Sequence, residues 1–428
     1  MFDRKLIRKL IASALLAGSL ILTSVGDAEI KMYEGAGKYI ACDYDSIDVA
    51  KLRAKARAEQ AAKDRAGVYL ASYSREKNFR LTDDEIYTIT NNIVEVLEVE
   101  YKSQPFDVDG EPGVMYVANV RVNIDTDGIA TYLKFDDRKK QTVVEQSKEA
   151  RKADAENDAK VEDLRKRVGG AKTAEEEAQL RREYEQADQQ FRANQKLEEG
   201  NQLYYGGKYE EAIKRYNEAL KLDPKYAFAY NNRGNAYKHL KQYERAIADF
   251  NNAIELDPND AVAYNNRGLA YGNLKQYERA IADYNKAIEL DPKCAIAYNN
   301  RGNAYDDLKQ YDRAIADYNK AIELDPKDAV AYNNRGGAYD HLKQYDRAIV
   351  DYNKAIELDP NLAQPYYNRG LAYGNLEQYE RAIEDFTRAI EINPKYILAY
   401  NNRGYCYKAL GDTARAQADL DKAASLSK

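Results

Sequence analysis

The stretch that decides the fold is AVAYNNRGLAYGNLKQYERAIADYNKAIELDP at residues 261–292, which recurs almost unchanged as AIAYNNRGNAYDDLKQYDRAIADYNKAIELDP at residues 295–326. The offset between these copies is 34 residues. The same offset separates the prolines that close successive copies, which are Pro224, Pro258, Pro292, Pro326, Pro360 and Pro394. A constant period of this length indicates stacked supersecondary units without a single globular core. Stacks of this kind present long surfaces for binding.

Each copy predicts two helices. In the copy at residues 227–260, helix A is expected at about Ala227–Leu240 and helix B at about Tyr243–Leu256. Pro258 ends helix B, because proline has no backbone N–H and disfavours helical geometry in the residue before it. Gly234 lies where the two helices must approach closely, and large aromatic residues fill the remaining space.

The recurring order of an aromatic residue, glycine, tyrosine, alanine, an aromatic residue, alanine and proline resembles the tetratricopeptide repeat. This resemblance covers residues 193–428 and implies a mainly α fold, a right-handed α-solenoid with helix A lining its concave face. It implies seven repeats, at residues 193–226, 227–260, 261–294, 295–328, 329–362, 363–396 and 397–428. It also implies a role in protein binding.

One position departs from the family pattern, which usually has leucine before the glycine. Six copies have arginine there, and an aspartate follows each arginine sixteen residues later: Arg233 with Asp249, Arg267 with Asp283, Arg301 with Asp317, Arg335 with Asp351, Arg369 with Asp385 and Arg403 with Asp419. The first copy has Glu199 and Arg215 at these places, so the charges are exchanged. Because both signs change together, we interpret these residues as structural ion pairs across each helix pair. The alternative is a ladder of anion-binding arginines.

Two series of asparagines are the candidate binding residues, because the resemblance places the residue two before each glycine on the concave face. The first series is Asn232, Asn266, Asn300, Asn334, Asn368 and Asn402, and the residues that precede most of them are Asn231, Asn265, Asn299, Asn333 and Asn401. An amide donates and accepts hydrogen bonds at once, which suits a peptide unit. We therefore expect a peptide-binding ladder that spans about 15–20 extended residues. The alternative is that asparagine is only a soluble choice for this face.

The charge of the groove indicates which peptide it fits. Asp306, Asp307 and Asp340 make its middle acidic, so a neutral or basic peptide is favoured. The family's clamp for a C-terminal carboxylate requires lysine and arginine on this face, and this chain does not supply them. Further apolar contact is expected from Val262, Leu269, Ile296, Val330 and Leu371.

No motif in the chain indicates catalysis. The two histidines, His239 and His341, are three copies apart, about 30 Å at one helix diameter per copy, too far to share a metal or a proton. Nucleophile-elbow and phosphate-loop patterns are missing, and the three cysteines have no metal-ligand spacing. A net charge of −6 disfavours nucleic acid as a partner. We predict a protein that is not an enzyme and has no cofactor or metal; a cation at the three groove aspartates is the less favoured alternative.

The first 28 residues indicate export from the cytoplasm. Basic residues between Arg4 and Lys9 precede an apolar run from Leu10 to Val25, and small residues follow. This layout is typical of a secretory signal peptide at residues 1–28. The alternative is an uncleaved segment that anchors the protein in a membrane, which is the only membrane contact we expect. A secreted or periplasmic location, in the cell envelope, follows from either reading.

Residues 29–135 predict a small α+β domain with a β-α-α-β-β order, including a helix from about Val49 to Tyr73 and a hairpin turn at Asp107–Gly113. The domain resembles small bacterial envelope lipoproteins and the N-terminal part of flagellar assembly protein T. The resemblance rests on Gly35–Gly37, the Ala-Lys-Asp-Arg-Ala-Gly helix segment and the closing Asn123-Ile124-Asp125. Residues 136–192 carry mixed charge and few aromatic residues, which predicts a charged helical linker.

These features together predict a protein-binding module that holds an extended peptide or a partner protein in the concave groove. The alternative function is a structural scaffold of an envelope complex, which uses convex or edge surfaces and docks through the N-terminal domain.

Overall fold

The computed structural model describes residues 31–41, 50–63, 94–108, 111–124 and 170–427, with most positions between 152 and 168. The predicted signal segment 1–28 and the second helix of the predicted β-α-α-β-β order lie outside the described residues. The chain divides into two compact units, Met1–Pro224 and Lys225–Lys428, and each is described by itself. Within the described ranges, no helix is both long enough and apolar enough to cross a bilayer.

A three-stranded antiparallel sheet begins the first unit. Its strands are β1 (Lys31–Ala41), β2 (Val94–Val108) and β3 (Glu111–Ile124), in the order β1-β3-β2. β2 and β3 form the predicted hairpin. The turn is shorter than the predicted Asp107–Gly113, because strand pairing continues until Val108 lies opposite Glu111.

Residues 50–63 form a helix with alanines at four-residue spacing that are fully buried, namely Ala50, Ala54, Ala58 and Ala62. Arg53 extends from this helix to the long helix Ala174–Tyr205, where its guanidinium lies 2.5 Å from the Asp188 carboxylate and 4.4 Å from the centre of the Phe191 ring. The N-terminal helix is therefore joined to the long helix by a buried ion pair.

The described part of the region predicted as a linker is packed. Described positions between 152 and 168 are helical, and Val161, Leu164 and Val168 share a buried apolar cluster with Leu180 and Tyr184 of the long helix. The predicted boundary between residues 192 and 193 lies inside the long helix, which runs unbroken from Ala174 to Tyr205. The mixed charge of this region hides an apolar face in the sequence, because the few apolar residues all lie on one side of each helix.

From residue 174 onward the helices come in pairs, each with a helix A and a helix B. Pair 1 is Ala174–Tyr205 with Tyr209–Leu222, and it belongs to the first unit. The second unit contains pair 2 (Ala227–His239, Tyr243–Leu256), pair 3 (Ala261–Asn273, Tyr277–Leu290), pair 4 (Ala295–Asp307, Tyr311–Leu324), pair 5 (Ala329–His341, Tyr345–Leu358), pair 6 (Ala363–Asn375, Tyr379–Ile392) and pair 7 (Ile397–Ala409, Thr413–Leu426).

The turn between helix A and helix B uses a left-handed residue. Gly207 and Gly411 take this conformation in pairs 1 and 7, with φ of 75° and 83°. The other pairs use residues with a side chain at φ between 58° and 60°, which are Lys241, Lys275, Lys309, Lys343 and Glu377. Each of these non-glycine residues costs about 1–2 kcal/mol, because its Cβ crowds the following carbonyl in this conformation.

Glycine on helix A lets the two helices of a pair touch. A Cβ on Gly234 would lie 2.7 Å from Cε1 of Phe250, and one on Gly302 would lie 2.6 Å from Cε1 of Tyr318. Both rings are buried. The ring of helix B therefore packs directly on the backbone of helix A, which is the close approach that the sequence pattern predicts.

The second unit curves with its A helices on the inner side. Each A helix of this unit approaches the next A helix, whereas no two neighbouring B helices approach each other to the same extent. Helices that lie closer together on one side of a stack place that side on the inside of the curve. The A helices of pairs 2 to 7 therefore line the concave surface.

Candidate binding groove

The concave surface of the second unit has a constant arrangement on each helix A, formed by its second, sixth and ninth residues. In pair 3 these are Val262, Asn266 and Leu269. Residues four and then three positions apart lie on one helix face, so the three side chains form one line across the groove. We call this surface of pairs 2 to 7 the groove face.

The two asparagine series meet along the groove face. In successive pairs, the second asparagine of one pair donates through Nδ2 to Oδ1 of the first asparagine of the preceding pair: Asn266 to Asn231 at 3.2 Å, Asn300 to Asn265 at 3.0 Å, Asn334 to Asn299 at 3.2 Å and Asn368 to Asn333 at 3.0 Å. These amides thus form hydrogen bonds between neighbouring pairs, which sequence reasoning did not anticipate.

The one interruption of the second series, which begins at Asn231, keeps the same bond. Tyr367 replaces asparagine in pair 6, and its hydroxyl accepts a hydrogen bond from Asn402 at 2.9 Å. Asn232 and Asn401, at opposite ends of the two series, are half-buried. An offset of 35 residues, one more than the period, is the sequence signal that identifies the partners.

These bonds leave part of some amides available, whereas both donor hydrogens of Asn334 are used, by Asn299 and Asn303. An asparagine side chain has two donor hydrogens and an oxygen that accepts two bonds. The bond from Asn300 to Asn265 uses one donor of Asn300 and one acceptor position of Asn265. Asn300 is half-buried and Asn266 is buried, so access to the amides differs from pair to pair. The groove face therefore has a pre-organised row of amides, in which Asn300 keeps a second donor hydrogen for a ligand.

The arginines that precede the helix A glycines form ion pairs with their predicted aspartates. The Nη2–Oδ1 distance is 2.6 Å in Arg233–Asp249, Arg267–Asp283, Arg301–Asp317, Arg335–Asp351 and Arg369–Asp385, and 2.8 Å in Arg403–Asp419. Nε donates to the second carboxylate oxygen in every case, so each pair is bidentate. The hydrogen bond to Asp351 raises the pKa of Arg335, while burial acts in the opposite direction.

In pairs 3 to 7 the same arginine also donates a hydrogen bond to helix B of the preceding pair. Nη1 of Arg301 donates to Asn285 on helix B of pair 3 at 2.6 Å. The equivalent bonds join Arg267 to Asn251, Arg335 to Asn319, Arg369 to Asn353 and Arg403 to Thr387. One guanidinium thus connects its own helix A, its own helix B and the helix B before it. The recurrence of asparagine at these positions is the sequence signal for this contact.

Pair 1 is different. Its Glu199 and Arg215 are 3.2 Å apart, but both side chains are well exposed, at 38% and 42%. Arg215 also contacts Glu218 at 3.0 Å, and the hydrogen bond to this second carboxylate is the main reason that the pKa of Arg215 is raised. The exchanged charges of the first copy therefore belong to a surface network, whereas the pairs of the second unit are largely buried.

The acidic residues lie in the last turn of two A helices. Nδ1 of His341 is 3.3 Å from Oδ1 of Asp306 in the preceding pair, and its ring lies 4.9 Å from that of Tyr311. Burial raises the pKa of Asp306, Asp307 and Asp340. In the described part of the chain, no three acidic, cysteine or histidine side chains come together as a metal site would require.

Exposed apolar side chains complete the groove face. The second residue of helix A is exposed by 46% in Phe228, 50% in Val262, 46% in Val330 and 55% in Leu398. Ile296, Leu269 and Leu371 are half-buried. The groove face thus repeats apolar and amide side chains from pair to pair, and acidic side chains lie in the last turn of helix A in pairs 4 and 5.

Comparison with known families identifies the array. Residues 200–241 match a family described as TPR repeat, and residues 227–260, 261–294, 295–328, 329–362 and 363–396 each match the tetratricopeptide repeat. A further tetratricopeptide-repeat match covers residues 386–418. The chain is a tetratricopeptide-repeat (TPR) protein. Its tandem TPR array extends from about residue 200 to residue 426.

The curated relatives match over a short segment. The Hsp70-Hsp90 organizing protein of Triticum aestivum is 46% identical over 48 residues, which are 11% of this chain and 8% of that protein. The Hsp70-Hsp90 organizing protein 1 of Glycine max is 48% identical over 48 residues, with the same coverage. The chain therefore spans less than a tenth of the length of these relatives.

Several solved TPR structures are similar in part. YrrB, described as a TPR protein with an unusual peptide-binding site, is 28% identical with a TM-score of 0.36, covering 44% of this chain and 96% of that chain. A TPR protein from Parabacteroides merdae ATCC 43184 is 22% identical with a TM-score of 0.47, covering 55% and 93%. MamA is 29% identical with a TM-score of 0.35, covering 37% and 94%.

Proposed function

We propose that this protein is a protein-interaction module, without catalytic activity, that binds an extended peptide or partner segment along the groove face. The observation that carries the proposal is the exposed apolar row. Val262 and Val330 are about half exposed on a surface where the neighbouring amides are already ordered by bonds between pairs. Large apolar side chains exposed in a regular row are typical of a surface that a partner covers.

The chemistry of the groove favours a neutral or basic ligand. Asp306, Asp307 and Asp340 lie in the last turns of their helices, where a negative charge opposes the helix dipole. A basic segment offsets this repulsion on binding, and an acidic one increases it. Each amide bond to a ligand contributes about 1 kcal/mol, so affinity arises from many weak contacts along the groove.

The proposed architecture is a right-handed solenoid of seven TPRs behind a small α+β domain. Seven helix pairs and the sheet with its helix at residues 50–63 support this arrangement. The proposed location is secreted or periplasmic, in a bacterial cell envelope, and the basic, apolar and small-residue layout of residues 1–28 supports it. Membrane contact is proposed only through this segment, if it is not cleaved.

A selection experiment tests the groove. The full-length protein is used to select binders from a displayed library of random peptides of about 16 residues, the length that six pairs span. Affinities of the enriched peptides are then measured by fluorescence anisotropy. The test variant is Asn300→Ala with Asn334→Ala, and the control is Asn285→Ala with Asn319→Ala.

The control is matched, because Asn285 and Asn319 also bridge neighbouring pairs but lie on B helices. We expect the groove variant to weaken peptide binding at least tenfold and the control to change it less than twofold, with circular dichroism unchanged in both. Equal affinities in wild type and groove variant would refute groove binding and favour the scaffold function on convex or edge surfaces.

A further inference from the structure

The apolar row on the groove face has its own pattern. The second residue of helix A is Phe228, Val262, Ile296, Val330, Gln364 and Leu398 in pairs 2 to 7. Four consecutive apolar residues are thus followed by one polar residue and a final apolar one. The row is distinct from the core, because four of its five apolar members are exposed by 46% or more.

The spacing of this row limits what can contact it. Bonds such as the one from Asn300 to Asn265 make successive A helices direct neighbours. Axes of helices packed in this way lie about 8–10 Å apart. Equivalent residues of successive A helices are therefore separated by about the same distance. A ligand that lies along the row must present one apolar side chain on the same side at each such interval.

Three regular peptide conformations can be compared with this interval. A β-strand rises about 10 Å in three residues, but its side chains alternate, so residues three apart point to opposite faces. A polyproline II helix has three residues per turn and rises about 9.3 Å in each turn, so every third residue is on one face. An α-helix repeats a face after seven residues, which is about 10.5 Å.

The amides distinguish the last two conformations. The backbone of an α-helix is hydrogen-bonded internally, so it does not need a row of amides as hydrogen-bond partners. The backbone of a polyproline II helix has no internal hydrogen bonds, and all its carbonyl groups require partners from outside. In pair 4 the half-buried amide of Asn300 lies one turn from Ile296 of the apolar row, and in pair 5 that of Asn334 lies one turn from Val330. This combination matches the polyproline II backbone.

We propose that the groove face binds a polyproline II segment that carries an apolar residue at every third position. Pairs 2 to 5 accept four such residues, pair 6 accepts a polar residue beside Gln364, and pair 7 accepts one more apolar residue beside Leu398. Basic residues between them face Asp306, Asp307 and Asp340. This inference rests on the proposed function and adds the conformation and residue pattern of the ligand.

Three synthetic peptides test the pattern by fluorescence anisotropy with the full-length protein. The first repeats Val-Pro-Lys four times and ends in Gln-Pro-Lys-Leu. The second has the same composition, with the valines at every second position. The third is an alanine- and lysine-rich helical peptide with valine at every seventh position. Each peptide is measured against wild type, against Val262→Ser with Val330→Ser, and against Val350→Ser as the matched control.

Val350 is a suitable control because it is an exposed valine, at 65%, on helix B and away from the groove face. We expect the first peptide to bind at least tenfold more tightly than the other two. The double groove variant should weaken it at least tenfold, and Val350→Ser should change it less than twofold.

Tighter or equal binding of the second or third peptide, still weakened by the groove variant, would overturn the polyproline II inference and leave groove binding intact. Failure of all three peptides to bind would overturn the inference as well. Binding that the groove variant does not weaken would refute both the inference and the groove.

Discussion

Replacing Arg301 by leucine should leave the Asp317 carboxylate buried without a charged partner. Arg301 is 19% exposed and Asp317 8% exposed, and two hydrogen bonds of 2.8 and 2.6 Å join them. The third bond, from Nη1 to Asn285 at 2.6 Å, is lost as well. Removing one member of a buried ion pair costs about 3–5 kcal/mol. The free energy of unfolding should fall by this amount for Arg301→Leu.

A second variant separates the ion pair from simple packing. When Arg301→Leu is combined with Asp317→Leu, no charge remains buried, and stability should recover to within about 1–2 kcal/mol of wild type. The Asn285 bond is still lost, so the coupling between pairs 3 and 4 should remain weaker and the unfolding transition broader. The double-mutant cycle, completed with Asp317→Leu alone, should therefore show a favourable coupling energy between Arg301 and Asp317.

Urea unfolding followed by circular dichroism measures these values, and hydrogen exchange with mass spectrometry locates the loss at residues 295–324. The control is Lys320→Gln, which breaks the exposed Lys320–Glu323 pair of the same helix pair and should leave the midpoint unchanged. A single variant as stable as wild type would refute the reasoning. So would a double variant no more stable than Arg301→Leu, because the arginine would then act by packing.

Four further substitutions should change the free energy of unfolding, three upward and one downward. Lys309→Gly should raise the free energy of unfolding by about 0.5–1 kcal/mol in urea titrations, because Lys309 has a left-handed φ of 59°. A variant less stable than wild type would contradict the strain argument. Gly302→Ala should lower thermal stability by about 1–3 kcal/mol, because its Cβ would lie 2.6 Å from Tyr318, whereas Gly337→Ala has open space and should raise stability by up to about 1 kcal/mol. Similar effects at the two glycines in calorimetry would exclude ring contact as the cause. Asp340→Asn should stabilise the array by about 0.3–1 kcal/mol at pH 7. The reason is that burial raises the pKa of Asp340 in the folded protein above its unfolded value. The ionised carboxylate therefore lowers stability above the folded pKa and has no such effect below the unfolded pKa. A gain that persists in urea titrations below pH 3 would show that charge is not its source.

The features that lie within one copy could be predicted from the sequence. The 34-residue period, the close approach at the glycine and the aspartate sixteen residues after each arginine all recur in every copy of the second unit, so each feature is seen several times. Each repeat is a further example of the same geometry. Where both charges of a position pair are exchanged, as in Glu199 with Arg215, the change identifies the two residues as ion-pair partners. The strand pairing of β2 and β3 is also local, because a short turn joins the strands.

The contacts between copies and between distant segments required the tertiary structure. The amide of Asn300 bonds to Asn265, and the guanidinium of Arg301 bonds to Asn285, both in the preceding pair. These partners are set by how one helix pair stacks on the next, which the pattern within a copy does not specify.

The chain by itself determined that helices A and B alternate, where each ends and which charges face each other within a pair. Tertiary structure decided that the described part of the charged region before the array is packed and that Arg53 contacts Asp188, 135 residues away. The physical reason is distance along the chain: neighbouring residues constrain each other through local geometry, whereas segments far apart meet only where burial of their apolar faces brings them together.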